Sequence, residues 1–431
     1  MKYYSLNRTS PDVDFREATI RGQAPDKGLY FPRSIPAPDP ALLQTIDRRS
    51  REEIAFRVIH PYVGHTIPDA ELHRIVAETI HFDFPLVPVS PSIYSLELFH
   101  GPTLAFKDVG ARFMSRCLGY FVRGNDKPVT VLVATSGDTG GAVASGFYNI
   151  DGVRVVILYP SGKVSSVQEL QLTTLAGNIT ALEVDGTFDD CQQMVKQAFA
   201  DPALQQRLFL TSANSINVAR WLPQQFYYFF AWQQWPDKRR PPVISVPSGN
   251  FGNICAGLLA HRSGLPVKHF IAACNANDVI PQYLETGDYR PAAARPTLSN
   301  AMDVGNPSNF VRILELFDRQ MAPLKDTLSA VSISDEQTVA AIRELYNDHH
   351  YLADPHGAVA WLALRQYLSG HPGEKGYLLE TAHPVKFYDT VEPIIAETIP
   401  APDSVRSLLN KRKQSIRVGP VYGQLKDFLL G

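Results

Sequence analysis

Lys107 is the residue whose surroundings most suit covalent chemistry. It lies in Glu97-Leu98-Phe99-His100-Gly101-Pro102-Thr103-Leu104-Ala105-Phe106-Lys107-Asp108, among apolar and small side chains. Burial in such company favours the uncharged amine, and an uncharged amine can form a Schiff base with a carbonyl. Gly101-Pro102 imposes a turn, and Thr103 or Asp108 is placed to cap the segment after it. Most single lysines in apolar settings simply snorkel to solvent, so the rest of the chain has to decide the assignment.

Three further segments carry anion-binding chemistry. Ser248-Gly249-Asn250-Phe251-Gly252 lies between the apolar run 243–247 and a helical stretch. Its glycines let the backbone approach an anion, and a helix N-terminus presents free N–H groups. It matches neither GxxxxGK[ST] nor GxGxxG, and glycine turns of this kind also arise for packing alone. Ser136-Gly137-Asp138-Thr139-Gly140-Gly141 has the same strand-to-helix setting. The hydroxyls of Ser136 and Thr139 suit a carboxylate, whereas Asp138 would oppose one and suits a helix N-cap. In Ser212–Arg220, small polar side chains including Asn214 and Ser215 precede Arg220. Its guanidinium is built for bidentate phosphate binding, although on this segment alone a cap followed by a surface arginine is the favoured reading. Lys163, in Ser161-Gly162-Lys163-Val164-Ser165, is either an anion ligand or a solvated loop lysine.

Other schemes lack their residues. His60 with His65, and His349 with His350, have no ligand partners at useful spacing, and HExxH is absent, so no metal is expected. There is no GxSxG. Cys117, Cys191, Cys255 and Cys274 lie far apart without a CxxC and read as reduced thiols.

These loops need strands and helices to hold them. Val129–Ala134, Val153–Tyr159 and Ile179–Val184 read as buried strands, alternating with helices over 109–122, 142–148, 167–175 and 188–199. A second series has strands at 243–247, 267–274 and 376–381 and helices at 253–262, 309–317, 336–346 and 357–368. Alternation of this kind argues for two α/β units with parallel sheets and a ligand cleft at strand carboxyl ends. Residues 1–95 are less patterned, with helical spacing at 52–59 and 69–76 and loops at Pro32, Pro36, Pro38 and Pro40.

The chain has 431 residues, 45% hydrophobic and 19% charged, with a formal net charge of -2. That balance argues against nucleic acid or an anionic membrane as partner. No apolar run is long enough to span a bilayer. The N-terminus lacks an apolar signal core and soon carries Asp12, Asp14 and Glu17, which points to a cytoplasmic protein.

A Schiff-base lysine and a glycine-lined phosphate cup together fit pyridoxal 5′-phosphate, whose aldehyde and phosphate need those two things. Thr381, at the end of the last strand, offers a neutral hydroxyl to the ring nitrogen. With these residues in view, the chain resembles the long microbial threonine synthases. The likeness rests on ELFHGPTLAFKD (97–108), ATSGDTGG (134–141), SANSINVAR (212–220), VPSGNFG (246–252), LSNAMDV (298–304) and TAHPVKF (381–387), in that order. The resemblance implies fold type II of the pyridoxal-phosphate enzymes, like the tryptophan synthase β chain. It implies an N-terminal mixed domain over 1–95, a large cofactor domain over 96–125 and 216–431, and a smaller domain over 126–215 that closes over substrate.

By the same resemblance O-phospho-L-homoserine and water become L-threonine and phosphate. Lys107 would hold the cofactor and move protons. Ser248, Gly249, Asn250, Phe251 and Gly252 would cradle its phosphate, and Thr381 would meet its ring. Ser136, Gly137, Asp138 and Thr139 would hold the substrate carboxylate, with the Asp138 side chain turned away from it. Lys163, Asn214, Ser215 and Arg220 would grip the substrate phosphate. The protein is expected as a monomer or homodimer. A phospho-lyase releasing 2-oxobutanoate, an amino-acid dehydratase, and an inactive cofactor-binding regulatory protein stand as alternatives.

Overall fold

The computed structural model describes residues 1–37, 39–124 and 127–431. Pro38, expected in a loop, and the expected domain limit between residues 125 and 126 lie outside the described residues. The strands among the described residues are β1 (Tyr3–Ser5), β2 (Tyr30–Pro32), β3 (Leu86–Pro88), β4 (Ile93–Glu97), β5 (Val129–Ala134), β6 (Val153–Pro160), β7 (Ile179–Val184), β8 (Phe209–Ser212), β9 (Val243–Pro247), β10 (His269–Cys274), β11 (Leu328–Ser332), β12 (Gly376–Glu380) and β13 (Ile416–Val418). The chain divides into two compact units.

One unit comprises Lys2–Tyr30, Lys107–Arg220 and Ala401–Gly431. Its sheet has the order β13-β7-β6-β5-β8 and every pair is parallel. The β-branched run of β5 is buried at every position, as a strand covered on both faces should be. Helices Lys107–Val122, Asp138–Phe147, Ser166–Thr173 and Phe188–Ala200 supply the cover. The final helix, Tyr422–Leu430, adds Leu425 and Leu429 to a core with Leu132, Val156, Leu182 and Cys191. Burial of such a leucine is worth about 2 kcal/mol, which ties the C-terminal segment to this unit. Lys413 reinforces it by pairing with Glu169 at 2.6 Å and Glu183 at 2.8 Å.

The other unit comprises Met1, Phe31–Phe106 and Trp221–Pro400. Its sheet has the order β11-β10-β9-β12-β4-β3, parallel except for the β3–β4 pair. Gly376 of β12 is pressed against β9; a Cβ there would lie 2.3 Å from the Val243 carbonyl oxygen. The helix Gln225–Gln234 buries Phe226, Tyr227, Tyr228, Phe229, Phe230, Ala231 and Trp232, so it is apolar on all sides. Such a helix packs in the interior rather than on a face. Helix Pro355–Ser369 opens with Asp354 as N-cap and proline at its first position, a pairing worth about 1 kcal/mol over an uncapped start.

Candidate active site

In the unit that carries it, Lys107 is the first residue of helix Lys107–Val122 and its side chain is 17% exposed. Its Nζ lies 3.9 Å from Asp138 Oδ2. Asp138 is buried, and Gln168 Nε2 donates to its Oδ1 at 2.9 Å. The sequence offered Asp138 as a helix cap. Instead Gly137 sits at the N-cap with φ +136°, a conformation that needs glycine, and Thr135 does the capping. Thr135 Oγ1 accepts the N–H groups of Gly137 and Gly140 at 3.0 and 2.8 Å. The Asp138 carboxylate is thereby left to face Lys107.

Asn214 is fastened to the end of β5, where its Nδ2 donates to the Ala134 carbonyl at 3.2 Å. That is the strand end from which Ser136 and Thr139, both half-buried, emerge. Arg220 is 3% exposed and donates to the Ala213 carbonyl, which excludes the reading as a surface arginine. Ser215 is half-buried in the turn before the short helix Val218–Trp221 that carries Arg220. Lys163 is exposed on the turn after β6 and makes no side-chain hydrogen bond or ion pair among the described residues. The structure thus gathers Lys107, Asp138, the Ser136–Thr139 loop and Asn214 around one strand end, and leaves Lys163 outside that set.

In the other unit, Ser248 begins the glycine loop with its Oγ donating to the Val246 carbonyl at 2.8 Å. Asn250 has its carbonyl taken by Asn309 Nδ2 at 3.2 Å. Phe251 adopts the left-handed conformation, φ 61°, and opens helix Gly252–Arg262 without a side-chain cap. Gly249 backs onto Met302, whose Cα would be 2.7 Å from an added Cβ. Thr381 is 6% exposed and its carbonyl accepts the Phe106 N–H at 2.8 Å. Its hydroxyl has no hydrogen bond among the described residues.

Around Thr381 lie charged residues that the sequence reading did not select. Asp354 and Glu380 are fully buried. Asp354 Oδ2 accepts the Ala382 N–H at 3.1 Å, and Glu380 Oε1 accepts the Asp354 N–H at 2.7 Å. Burial, with Asp354 beside it, holds the Glu380 carboxyl well above the usual carboxylate range. Burial and the nearby His100 push His383 down to about 4. Lys386 is buried and donates to the Thr103 carbonyl at 2.8 Å. The Asp-Pro pair at 354–355, an N-cap before a first-turn proline, was the one signal that could have marked this region.

Each unit, taken by itself, carries residues that fit part of pyridoxal phosphate. An uncapped helix N-terminus behind a glycine that tolerates no side chain suits its phosphate. In that same unit the Thr381 hydroxyl, with no hydrogen bond among the described residues, suits its ring nitrogen; in the other unit a largely buried lysine suits its aldehyde.

The family profile described as pyridoxal-phosphate dependent enzyme matches residues 85–379, and that described as threonine synthase N terminus matches residues 2–80. The chain is 45% identical over 435 residues to threonine synthase of Serratia marcescens, covering 100% of this chain and 99% of that protein. It is similar to the crystal structure of threonine synthase from Escherichia coli, with a TM-score of 0.94, 44% identity, and coverage of 100% of this chain and 99% of that one. It is also similar to pyridoxal-phosphate-bound threonine synthase from Brucella melitensis, with a TM-score of 0.92, 34% identity, and coverage of 100% and 98%. From the N-terminal segment through the lysine and the glycine cup to the last strand, the chain belongs to the threonine synthase family of fold type II pyridoxal-phosphate-dependent enzymes.

Proposed function

We propose that this protein converts O-phospho-L-homoserine and water to L-threonine and phosphate. The observation that carries the substrate assignment is Arg220. The residue is 3% exposed on the short helix Val218–Trp221, just after a turn that Asn214 pins to the strand end where Asp138 faces Lys107. A deeply set arginine there suits a phosphorylated substrate, whereas a dehydratase acting on an unphosphorylated amino acid has no use for it.

Bound pyridoxal phosphate supplies the electron sink that makes the substrate Cα and Cβ protons removable. Lys107, with its amine free, would take the proton at Cα. Asp138, held by Gln168 at 3.9 Å from the lysine nitrogen, steadies the ammonium that results. Ser136 and Thr139 hold the substrate carboxylate through hydroxyl and backbone donors, and Gly137, whose N–H is held by Thr135, shapes the loop around it. Arg220, Asn214 and Ser215, with Lys163 from its exposed turn, hold the substrate phosphate as it leaves Cγ. Ser248, Gly249, Asn250, Phe251 and Gly252 hold the cofactor phosphate, and Thr381 meets the ring with a neutral hydroxyl. Proton return at Cγ and water addition at Cβ complete the balance.

The described residues contain no helix long and apolar enough to cross a membrane. The four cysteines are buried thiols, which suits a reducing compartment, and we place the protein in the cytoplasm as a monomer or homodimer. Incubation with O-phospho-L-homoserine tests the reading. Threonine and phosphate should appear one for one. Release of 2-oxobutanoate and ammonia without threonine would instead make it a phospho-lyase.

A further inference from the structure

The cup at Ser248–Gly252 has no side-chain cap, so its shape depends on what lies behind it. Behind Gly249 runs the backbone of Ala301 and Met302; an added Cβ would lie 3.1 Å from the Ala301 carbonyl oxygen and 2.7 Å from Met302 Cα. This backbone is a single 3-10 turn, Asn300–Met302. A helix that short satisfies few of its own N–H groups. The Ala301 N–H donates outward, to His356 Nε2 at 3.1 Å. That nitrogen can accept only if the ring proton sits on Nδ1, and Nδ1 lies 2.6 Å from Asp354 Oδ1. His356 is 2% exposed and Asp354 is 0% exposed, so solvent does not substitute for either partner. The ring also packs on Phe387, 4.9 Å between centroids. Asp354 in turn holds the Ala382 N–H, next to Thr381.

We propose that His356 is a positioning residue for the cofactor phosphate: its Nε2, oriented by Asp354, fixes the Ala301–Met302 turn against Gly249 and so sets the shape of the Ser248–Gly252 cup. The inference rests on the assignment of that cup to the cofactor phosphate. Asp354 serves both ends of the cofactor, the phosphate through His356 and the ring through the backbone beside Thr381. His356 moves no proton in this role. It keeps one tautomer.

The test compares binding of pyridoxal phosphate and of unphosphorylated pyridoxal to the apoprotein, followed by fluorescence. His356→Asn keeps an amide donor near the position of Nδ1 and lacks an acceptor at Nε2. His356→Gln can place its amide oxygen near Nε2. The Asn variant should lose about tenfold of the preference for the phosphorylated form, the effect expected of one buried N–H left unsatisfied. Its affinity for pyridoxal should stay unchanged, and the Gln variant should keep most of the preference. If the Asn variant does not fold, His356→Phe keeps the ring, loses both nitrogens and is read the same way. Equal losses for both ligands, or equal behaviour of the Asn and Gln variants, would overturn the proposal. Gly249→Val separates the role of His356 from the assignment of the cup. If it abolishes the preference while His356→Asn retains it, the role of His356 fails and the cup stands. If Gly249→Val retains the preference as well, the cup assignment itself fails.

Discussion

Lys107 and Asp138 stand 3.9 Å apart, within reach of an ion pair. In the proposed role, a lysine that holds a carbonyl and then carries a proton benefits from a nearby counter-charge. Lys107→Ala should therefore abolish the visible absorbance of lysine-bound cofactor and lower kcat by roughly 10²–10⁴-fold; a variant that keeps its colour and turnover would remove the lysine from the scheme. His383 gives a pH prediction. Its folded value is about 4 against an ordinary 6.5, so between those values the unfolded chain binds a proton that the folded chain refuses. Stability tied to this group is complete above pH 6.5 and is lost as pH falls towards 4, by about 3 kcal/mol in all. His383→Asn retains an acceptor for the Val385 N–H, which His383 Nδ1 now takes at 3.1 Å, and removes the titration. Urea unfolding at pH 6.5 and pH 4.5 should show the variant losing less stability than the parent; parallel losses would contradict this. Lys107 and the loops at 136–141 and 248–252 could be proposed from the sequence because their neighbours are small and apolar. Asp354, His356 and Glu380 were not, because their partners lie far along the chain: Asp354 to Ala382, His356 to Ala301, and Glu380 back to Asp354.

Loops and helices set these residues through glycine contacts. Gly137 at φ +136° would place a Cβ 2.4 Å from Gln168 Oε1, and Gly140 would place one 2.4 Å from Leu172. Helix Ser166–Thr173 thus packs closely on the start of helix Asp138–Phe147, and Gln168 bonds Asp138 through that contact. Gly137→Ala should cost about 1–3 kcal/mol and raise KM for the substrate, because Asp138 and the loop proposed to hold the substrate carboxylate move with it. An unchanged melting temperature together with an unchanged KM would contradict the assignment. At this scale the reading of β5, β6, β7 and β9 from sequence matched the structure because those runs are rich in apolar and β-branched residues. β4 escaped it because Ser95 and Glu97 interrupt the pattern; both hydroxyl and carboxylate are bonded by Tyr351, at 2.8 and 3.2 Å. Helix Gln225–Gln234 escaped because a helix buried on every side has no amphipathic period. β8 and β13, with four and three residues, are too short to carry a pattern.

For the whole molecule, two parallel-rich sheets were expected from the alternation of strands and helices, and both are present. The family assignment rests on likeness along the full chain rather than on any one motif. The proposed activity also fixes the fate of each oxygen. If phosphate departs from Cγ and water adds at Cβ, the phosphate keeps its ester oxygen and the new hydroxyl comes from solvent. The most direct measurement is turnover of O-phospho-L-homoserine in ¹⁸O-enriched water, with mass spectrometry of both products. The proposed reaction predicts one solvent oxygen in the threonine hydroxyl and none in the phosphate released with it. Label in the phosphate with homoserine as co-product, or release of phosphate without threonine, would contradict it.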